Sequence, residues 1–293
     1  MCSKGLYSIL LIILLLCNSV YSLSKPQVCD SQKHLSYEKT DGGIIITGYS
    51  GKSEKLCLPA SIDGEKIIGI GNYAFYMSDV KKVVVQEGIQ FIGTSAFESS
   101  QLEYIELPQT ITKIFENAFA DSSLKNIVLP ESIAYIGFNA FGGSEIESIQ
   151  LPSSLQSIPD KCFSECTCLT EIIIPSSVIT IGTESFYGCT NLQSVHFSPG
   201  IAMIGEFAFS GCKHLMTVEL PEGLIQIGDG CFQDCDSLSY VTVPSTVIIR
   251  YSDVSYEPRW VFDNCINITL CIHHNDSFEL WAKKNNISYI LVP

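Results

Sequence analysis

Basic residues are scarce in this sequence of 293 residues. It holds 17 Lys and Arg against 31 Asp and Glu, which gives a formal net charge of −14 at pH 7. This deficit argues against general electrostatic binding of nucleic acid, heparin-like polyanions or anionic lipid. An acidic balance suits a soluble secreted surface, but it does not identify a partner.

Long apolar runs are missing after the first 22 residues, so no membrane-spanning helix is predicted in the rest of the chain. The first 22 residues combine Lys4, an unbroken apolar run at 9–16 and the segment Val20-Tyr21-Ser22 at the expected cleavage point. This arrangement is typical of a cleaved secretory signal peptide at 1–22, with a retained N-terminal anchor as the alternative. We therefore predict a secreted or extracellular surface-associated protein.

Motifs of catalysis and cofactor binding are also lacking. The sequence has no Gly-rich phosphate loop, no calcium loop and no paired clusters of zinc ligands. His196 and His214 have no nucleophile and acid at a recognisable catalytic spacing. We predict no catalytic, metal or cofactor site and no enzymatic activity, with an uncharacterised enzyme as the least favoured alternative.

Cysteine, in contrast, is plentiful. The chain holds 13 Cys, and signal cleavage would remove Cys2 and Cys17, which leaves 11 (13 minus 2). An odd number in an exported protein leaves at least one thiol free or paired between molecules. This count motivates self-association as an alternative function.

Three N-glycosylation sequons lie in the last 27 residues, at Asn267, Asn275 and Asn286. In a eukaryotic secretory pathway they predict a glycosylated C-terminal end.

A repeat of 22 or 23 residues extends over most of the sequence. Period-two alternations such as Ile105/Leu107 predict strands with one buried face, and a following Pro ends each strand. One such unit cannot bury its apolar stripe alone, whereas stacked units can, so the period predicts a solenoid. The clearest marker of each unit is a Phe after a small or β-branched residue, and it occurs at Phe75, Phe97, Phe119, Phe141, Phe163, Phe186, Phe209, Phe232 and Phe262.

The pattern LPxSIxxIGxxAFxxCxxLxxIxLP, over about residues 35–290, resembles the BspA-like leucine-rich repeat. The opening segment 46–51 and the closing segment 276–290 also resemble the ends of such arrays. The resemblance implies an α/β solenoid, a leucine-rich-repeat array of about nine repeats with one parallel β-sheet and short helical or turn returns. It further implies surface exposure, adhesion and protein binding.

The ends of a solenoid expose its core, so caps are expected on both sides of the array. We divide the chain into a signal peptide (1–22), an N-terminal cap (23–58), leucine-rich repeats (59–265) and a C-terminal cap (266–293). Cys29 and Cys57 could staple the first cap through a disulfide, although a pairing cannot be read from sequence alone.

Five cysteines follow a repeat Phe by three residues, so we expect them to stack in one file. Metal binding is one interpretation of this file, and packing of small buried thiols is the other. Ser occupies the same slot in earlier units, which favours packing. The five are Cys166, Cys189, Cys212, Cys235 and Cys265.

An insertion of seven residues in the last unit is the first candidate binding surface. It falls in RYSDVSYEPRW at 250–260, where we single out Tyr251, Tyr256, Arg259 and Trp260. Tyr, Trp and Arg are enriched at interface hot spots, and insertions in repeats often form binding loops. Neutral loop variation near a cap is the alternative.

The outward row of the sheet is the second candidate. Alternation places Tyr104, Glu106, Glu171, His196 and Tyr240 there. Such a mixed row suits an extracellular protein or glycan, although a solvated sheet without a ligand would look the same. We predict a binding protein that mediates adhesion or protein–protein recognition, with a self-associating coat or matrix component as the alternative.

Overall fold

A computed structural model describes residues 30–247 and 261–292 of the chain. A 3₁₀ helix spans Asp30–His34 and the helix α1 spans Asp276–Lys284. No helix in these described ranges is long and apolar enough to span a bilayer. The strands are β1 (Leu35–Thr40), β2 (Gly43–Tyr49), β3 (Lys55–Leu58), β4 (Ser61–Ile62), β5 (Glu65–Ile70), β6 (Lys82–Val85), β7 (Phe91–Ile92), β8 (Tyr104–Glu106), β9 (Lys113–Ile114), β10 (Asn126–Val128), β11 (Tyr135–Ile136), β12 (Ser148–Gln150), β13 (Ser157–Ile158), β14 (Glu171–Ile173), β15 (Thr180–Ile181), β16 (Ser194–His196), β17 (Met203–Ile204), β18 (Thr217–Glu219), β19 (Gln226–Ile227), β20 (Tyr240–Val243), β21 (Thr269–His273) and β22 (Ser288–Val292).

The strands form two rows that run along the axis of the array. The first row follows the order β3-β6-β8-β10-β12, continues with β14-β16 and ends with β18-β20-β21-β22. Its segments adjoin because β12 lies beside β14 and β16 lies beside β18. The second row follows β1-β2-β5-β7-β9-β11 and then β13-β15-β17-β19. The result is a solenoid of about ten turns with little helix, which confirms the predicted array.

The returns between strands of the first row differ from the expectation. We expected one parallel sheet with helical or turn returns, but the returns contain two-residue strands that form the second row. In β9 and β11 only the Ile of each pair is buried, at Ile114 and Ile136, while Lys113 and Tyr135 are exposed. The recurring Ile-x-x-Ile-Gly pattern predicts that these Ile residues are buried, but two residues are too few to show a period-two pattern, so nothing in the sequence marks them as strands.

The repeat Phe rings stack through the core of the solenoid. Neighbouring ring centroids from Phe75 to Phe262 lie 4.9–5.6 Å apart, with interplanar angles of 3–14°. Tyr49 extends the stack at one end, 6.2 Å from Phe75, and Trp281 extends it at the other, 6.0 Å from Phe262. Aromatic pairs contribute roughly 0.5–1.5 kcal/mol beyond the area that they bury. The rings therefore hold successive units together.

A second buried file is formed by the Ser and Cys that follow each Phe by three residues. The hydroxyls of Ser100, Ser122 and Ser144 donate to the Phe carbonyl of their own unit at 2.6–2.7 Å. The thiol of Cys166 instead donates to the carbonyl of Phe141 in the preceding unit, at 3.1 Å. Burial raises the pKa of Cys166 to about 12, so this thiol stays neutral and unreactive near pH 7. These contacts favour the packing interpretation of the file.

Successive units approach closely where Gly follows the buried Ile of the second row. A Cβ on Gly205 would lie 2.6 Å from the carbonyl carbon of Gly182, so only glycine fits. The amide of Gly205 also donates to the carbonyl of Ile181 at 2.8 Å. Directly after β13, Pro159 takes the position that Gly205 has after β17, and Pro has no N–H to donate to the neighbouring strand β11. Because this bond is missing, the second row is interrupted between β11 and β13.

Candidate binding surface

The exposed face of the first row is built by the alternation of strand residues. In β8, Ile105 is buried in the core, while Tyr104 is half-buried and Glu106 is exposed. Parallel pairing in register keeps equivalent positions in line from one strand to the next. The structure places all five predicted sheet residues, Tyr104, Glu106, Glu171, His196 and Tyr240, on this face.

The five residues are spread along the row and do not form one pocket. Glu171 and His196 are in direct contact, since β14 pairs with β16 and Oε1 of Glu171 lies 2.8 Å from Nε2 of His196, and Tyr104 and Glu106 are neighbours on the same strand. Two apolar side chains on the same face, Val128 and Ile173, are 75% and 51% exposed. A long face with charged and apolar side chains suits an extended macromolecular partner better than a small molecule.

The first strands of this face carry a basic pair that the sequence analysis did not single out. Lys55 and Lys82 are directly paired in register, and a pocket of about 260 Å³ lies between them. Nζ of Lys82 lies 4.7 Å from the ring centroid of Tyr104. Burial, followed by the charge of Glu106, raises the pKa of the Tyr104 hydroxyl. The face is thus basic at its start, whereas its later exposed positions include Glu171 and other carboxylates.

A shallow groove of about 560 Å³ runs along the turn side of the solenoid, and the sequence analysis also missed it. Asp121, Glu165 and Asp234 line it together with Gly188 and Gly211. All five follow a repeat Phe by two residues and have φ between 54° and 75°. The fixed spacing from Phe could have revealed this column, but its residue types vary too much to draw attention. Its carboxylates disfavour anionic ligands.

Several predicted residues lie outside the described part of the chain. Tyr251, Tyr256, Arg259 and Trp260 are among them, so the insertion at 250–260 stays a prediction.

The predicted disulfide of the first cap also stays a prediction. Cys29 lies outside the described residues, whereas Cys57 is described and is not among the free thiols.

The three sequons differ in their surroundings. Asn267 and Asn286 are exposed, whereas Asn275 is 6% exposed. Asn275 caps α1: its Oδ1 accepts from the amide of Phe278, and its Nδ2 donates to the carbonyls of Pro244 and Val247 at 3.1 and 2.7 Å. A glycan on this nitrogen would replace one of its two N–H groups, so at least one of the two bonds would be lost. The geometry therefore favours Asn267 and Asn286 as acceptors.

Replacing Asn275 with alanine is expected to lower the free energy of unfolding by about 0.5–2 kcal/mol, which is the usual cost of losing an N-cap. A further loss is expected because the carbonyls of Pro244 and Val247 lose their donor. Urea unfolding followed by circular dichroism measures the change, and Asn267→Ala at an exposed sequon is the control. Equal stabilities of the two variants would contradict the capping role.

Comparison with known sequences gives one family. The family model described as "BspA type Leucine rich repeat region" matches in six copies, over residues 60–170 and 156–278. A comparison with curated proteins gave no match.

A comparison with solved structures gives bacterial proteins. A leucine-rich repeat protein of Bacteroides ovatus is 21% identical with a TM-score of 0.62, and the alignment covers 92% of this chain and 77% of that one. The pneumococcal vaccine antigen PcpA is 17% identical with a TM-score of 0.49, with 82% and 77% covered. A leucine-rich cell surface protein of Faecalibacterium prausnitzii is 22% identical with a TM-score of 0.44, with 90% and 98% covered. At 21% identity, the likeness to the Bacteroides ovatus protein shows the fold alone.

Proposed function

This chain belongs to the BspA type leucine-rich repeat family, and we propose from that premise that it is a secreted or cell-surface protein that mediates adhesion or recognition. Repeat proteins of this kind generally bind other proteins on a non-enzymatic scaffold. The partner that we propose is an extracellular protein or glycan.

The observation that carries the proposal is the exposed face of the first row. It presents charged, aromatic and apolar side chains on a rigid parallel array, with Glu171 and His196 held together at 2.8 Å. Buried contacts within the core fix the backbone from which these side chains project, so little backbone entropy would be lost on binding. The predicted loop at 250–260 follows β20, whose Tyr240 lies on the same face, so loop and face could contact one partner.

The location rests on the sequence. The apolar segment within 1–22 has the organisation of a signal peptide and lies outside the described residues. The acidic composition supports a soluble exported surface.

A self-associating coat or matrix component is the second candidate. One structural observation favours it: β22 has a neighbouring strand, β21, on only one side among the described strands.

The proposed function is tested by screening the secreted protein against arrays of extracellular-matrix proteins, host-cell proteins and glycans. For any ligand found, the double variant Glu171→Lys/Tyr240→Ala is expected to bind about tenfold or more weakly, since hot-spot losses exceed 1.4 kcal/mol. Met203→Ser is the control, because Met203 is 44% exposed on the second row of strands. Biolayer interferometry measures both affinities, and a separate deletion of 251–259 tests the loop.

Two results would contradict the proposal. One is a complete absence of protein and glycan ligands in the screen. The other is an equal loss of affinity in the double variant and in Met203→Ser, because the exposed face of the first row would then have no special part in binding.

A further inference from the structure

The last strand of the first row, β22, has an open edge. It pairs with β21 in parallel register, from Thr269↔Ser288 to His273↔Val292. No described strand lies on its other side. Among the described residues, the backbone N–H and C=O groups on that side have no strand partner, and such an edge is a template for pairing with another chain.

This edge lacks the features that usually protect one. The segment 288–292, SYILV, contains no charged residue and no Pro. Ile290 and Leu291 are 49% and 58% exposed, and two more exposed apolar side chains, Ile266 and Leu280, belong to the same final unit. Natural edge strands are typically shielded by Lys, Pro, a bulge or a covering element.

The opposite end is protected. The 3₁₀ helix at 30–34 packs against β3, the first strand of the first row. The edge strand of the second row, β1, belongs to an antiparallel hairpin with β2 and carries exposed Glu38 and Lys39. Lys39 forms an ion pair with Glu65. Head-to-tail stacking of β22 onto the first end of another molecule is therefore blocked, and the edge that remains for β22 is the same edge of a second copy.

We propose that β22 pairs antiparallel with β22 of a second copy of this chain, about a two-fold axis at Ile290. This register places Tyr289 opposite Leu291 and Ile290 opposite Ile290, so that apolar side chains face each other directly across the two strands, close enough to pack. The interface is isologous, so it closes as a dimer and does not grow into a filament. Five residues bury little surface, which makes the dimer weak and dependent on protein concentration. The inference rests on the fold and not on the ligand of the sheet face.

Sedimentation velocity over a concentration series of the secreted protein tests this dimer. A reductant is present throughout, so that intermolecular disulfides cannot produce the result. Ile290→Lys places two ammonium groups opposite each other, and like charges in that arrangement are destabilising. We expect the dissociation constant of the dimer to rise about tenfold or more. The control is Val128→Lys, on the same face but on the interior strand β10, and it is expected to leave the dimer unchanged.

Mixing variants tests the register itself. Ile290→Lys and Ile290→Glu are each expected to be monomeric, whereas an equimolar mixture is expected to restore a dimer through opposite charges at the axis. A wild type that stays monomeric at all concentrations, a dimer that survives in Ile290→Lys, or a mixture that stays monomeric would each overturn the proposal. Because no ligand is present, failure of this test leaves the binding screen unaffected.

Discussion

Replacing Phe141 with alanine is expected to lower the free energy of unfolding by about 3–5 kcal/mol, which is the usual cost of deleting a buried aromatic ring. Phe141 is fully buried, and its ring centroid lies 5.4 Å from those of Phe119 and Phe163. The substitution removes apolar burial, leaves a cavity and interrupts the ring stack in the middle of the array. Urea unfolding followed by circular dichroism and Tyr fluorescence measures the loss.

The same unit supplies a matched control. Phe138 is 45% exposed, so Phe138→Ala is expected to change stability by less than about 0.5 kcal/mol. Phe141→Leu separates two contributions, because it keeps most of the apolar burial and loses the stacking of rings, worth roughly 0.5–1.5 kcal/mol. If Phe141→Ala cost no more than Phe138→Ala, the stack would not be a main source of cohesion between units.

Replacing Trp281 with alanine is expected to cost about 3–5 kcal/mol as well, and to expose the last turn of the solenoid. Trp281 is 1% exposed on α1, and its ring lies 6.0 Å from Phe262 and 5.8 Å from Phe278. Terminal units of a repeat array depend on their caps, so the loss should appear first at this end. Hydrogen exchange measured peptide by peptide is expected to show faster exchange in β21 and β22 than in β8 and β10.

Leu280→Ala is the control for this cap. Leu280 is the neighbour of Trp281 on the same helix, but it is 63% exposed. Its replacement removes little buried area, and Ala has the best helix propensity, so stability should be nearly unchanged. Faster exchange spread evenly over all units of Trp281→Ala would refute a capping role, since local opening of the last turn is what that role predicts.

Much of the core could be predicted from the sequence because each buried position recurs with the same residue type. Phe186 and Ser185 are both fully buried, and each occupies a slot that the repeat had marked by spacing. The exposed face could be predicted for a similar reason, since Ile172 is buried between exposed Glu171 and Ile173. Because successive side chains of a strand point to opposite faces of the sheet, the position of a residue in the strand is enough to predict which face it lies on.

Other features depend on contacts that no local pattern encodes. The two-residue strands of the second row exist because stacked units pair, and a pair such as Gln226–Ile227 carries no periodicity of its own. Asn275 fits two interpretations, since the letters Asn-Asp-Ser make both a sequon and a helix N-cap. Only the fold decides between them, by bringing the carbonyls of Pro244 and Val247 to its amide nitrogen.

The uniform stack of Phe rings has a consequence for how such a gene can change. Phe119, Phe141 and Phe163 follow one another at the same distance of 5.4 Å, so each ring offers its neighbour an equivalent surface. If recombination duplicated or deleted a whole unit, every remaining ring would still stack on a neighbour, and no other core residue would have to change. Each such event would change the reach of the molecule by one strand spacing, about 4.8 Å. The length of the array can therefore change by whole units during evolution without changing the packing inside any one unit.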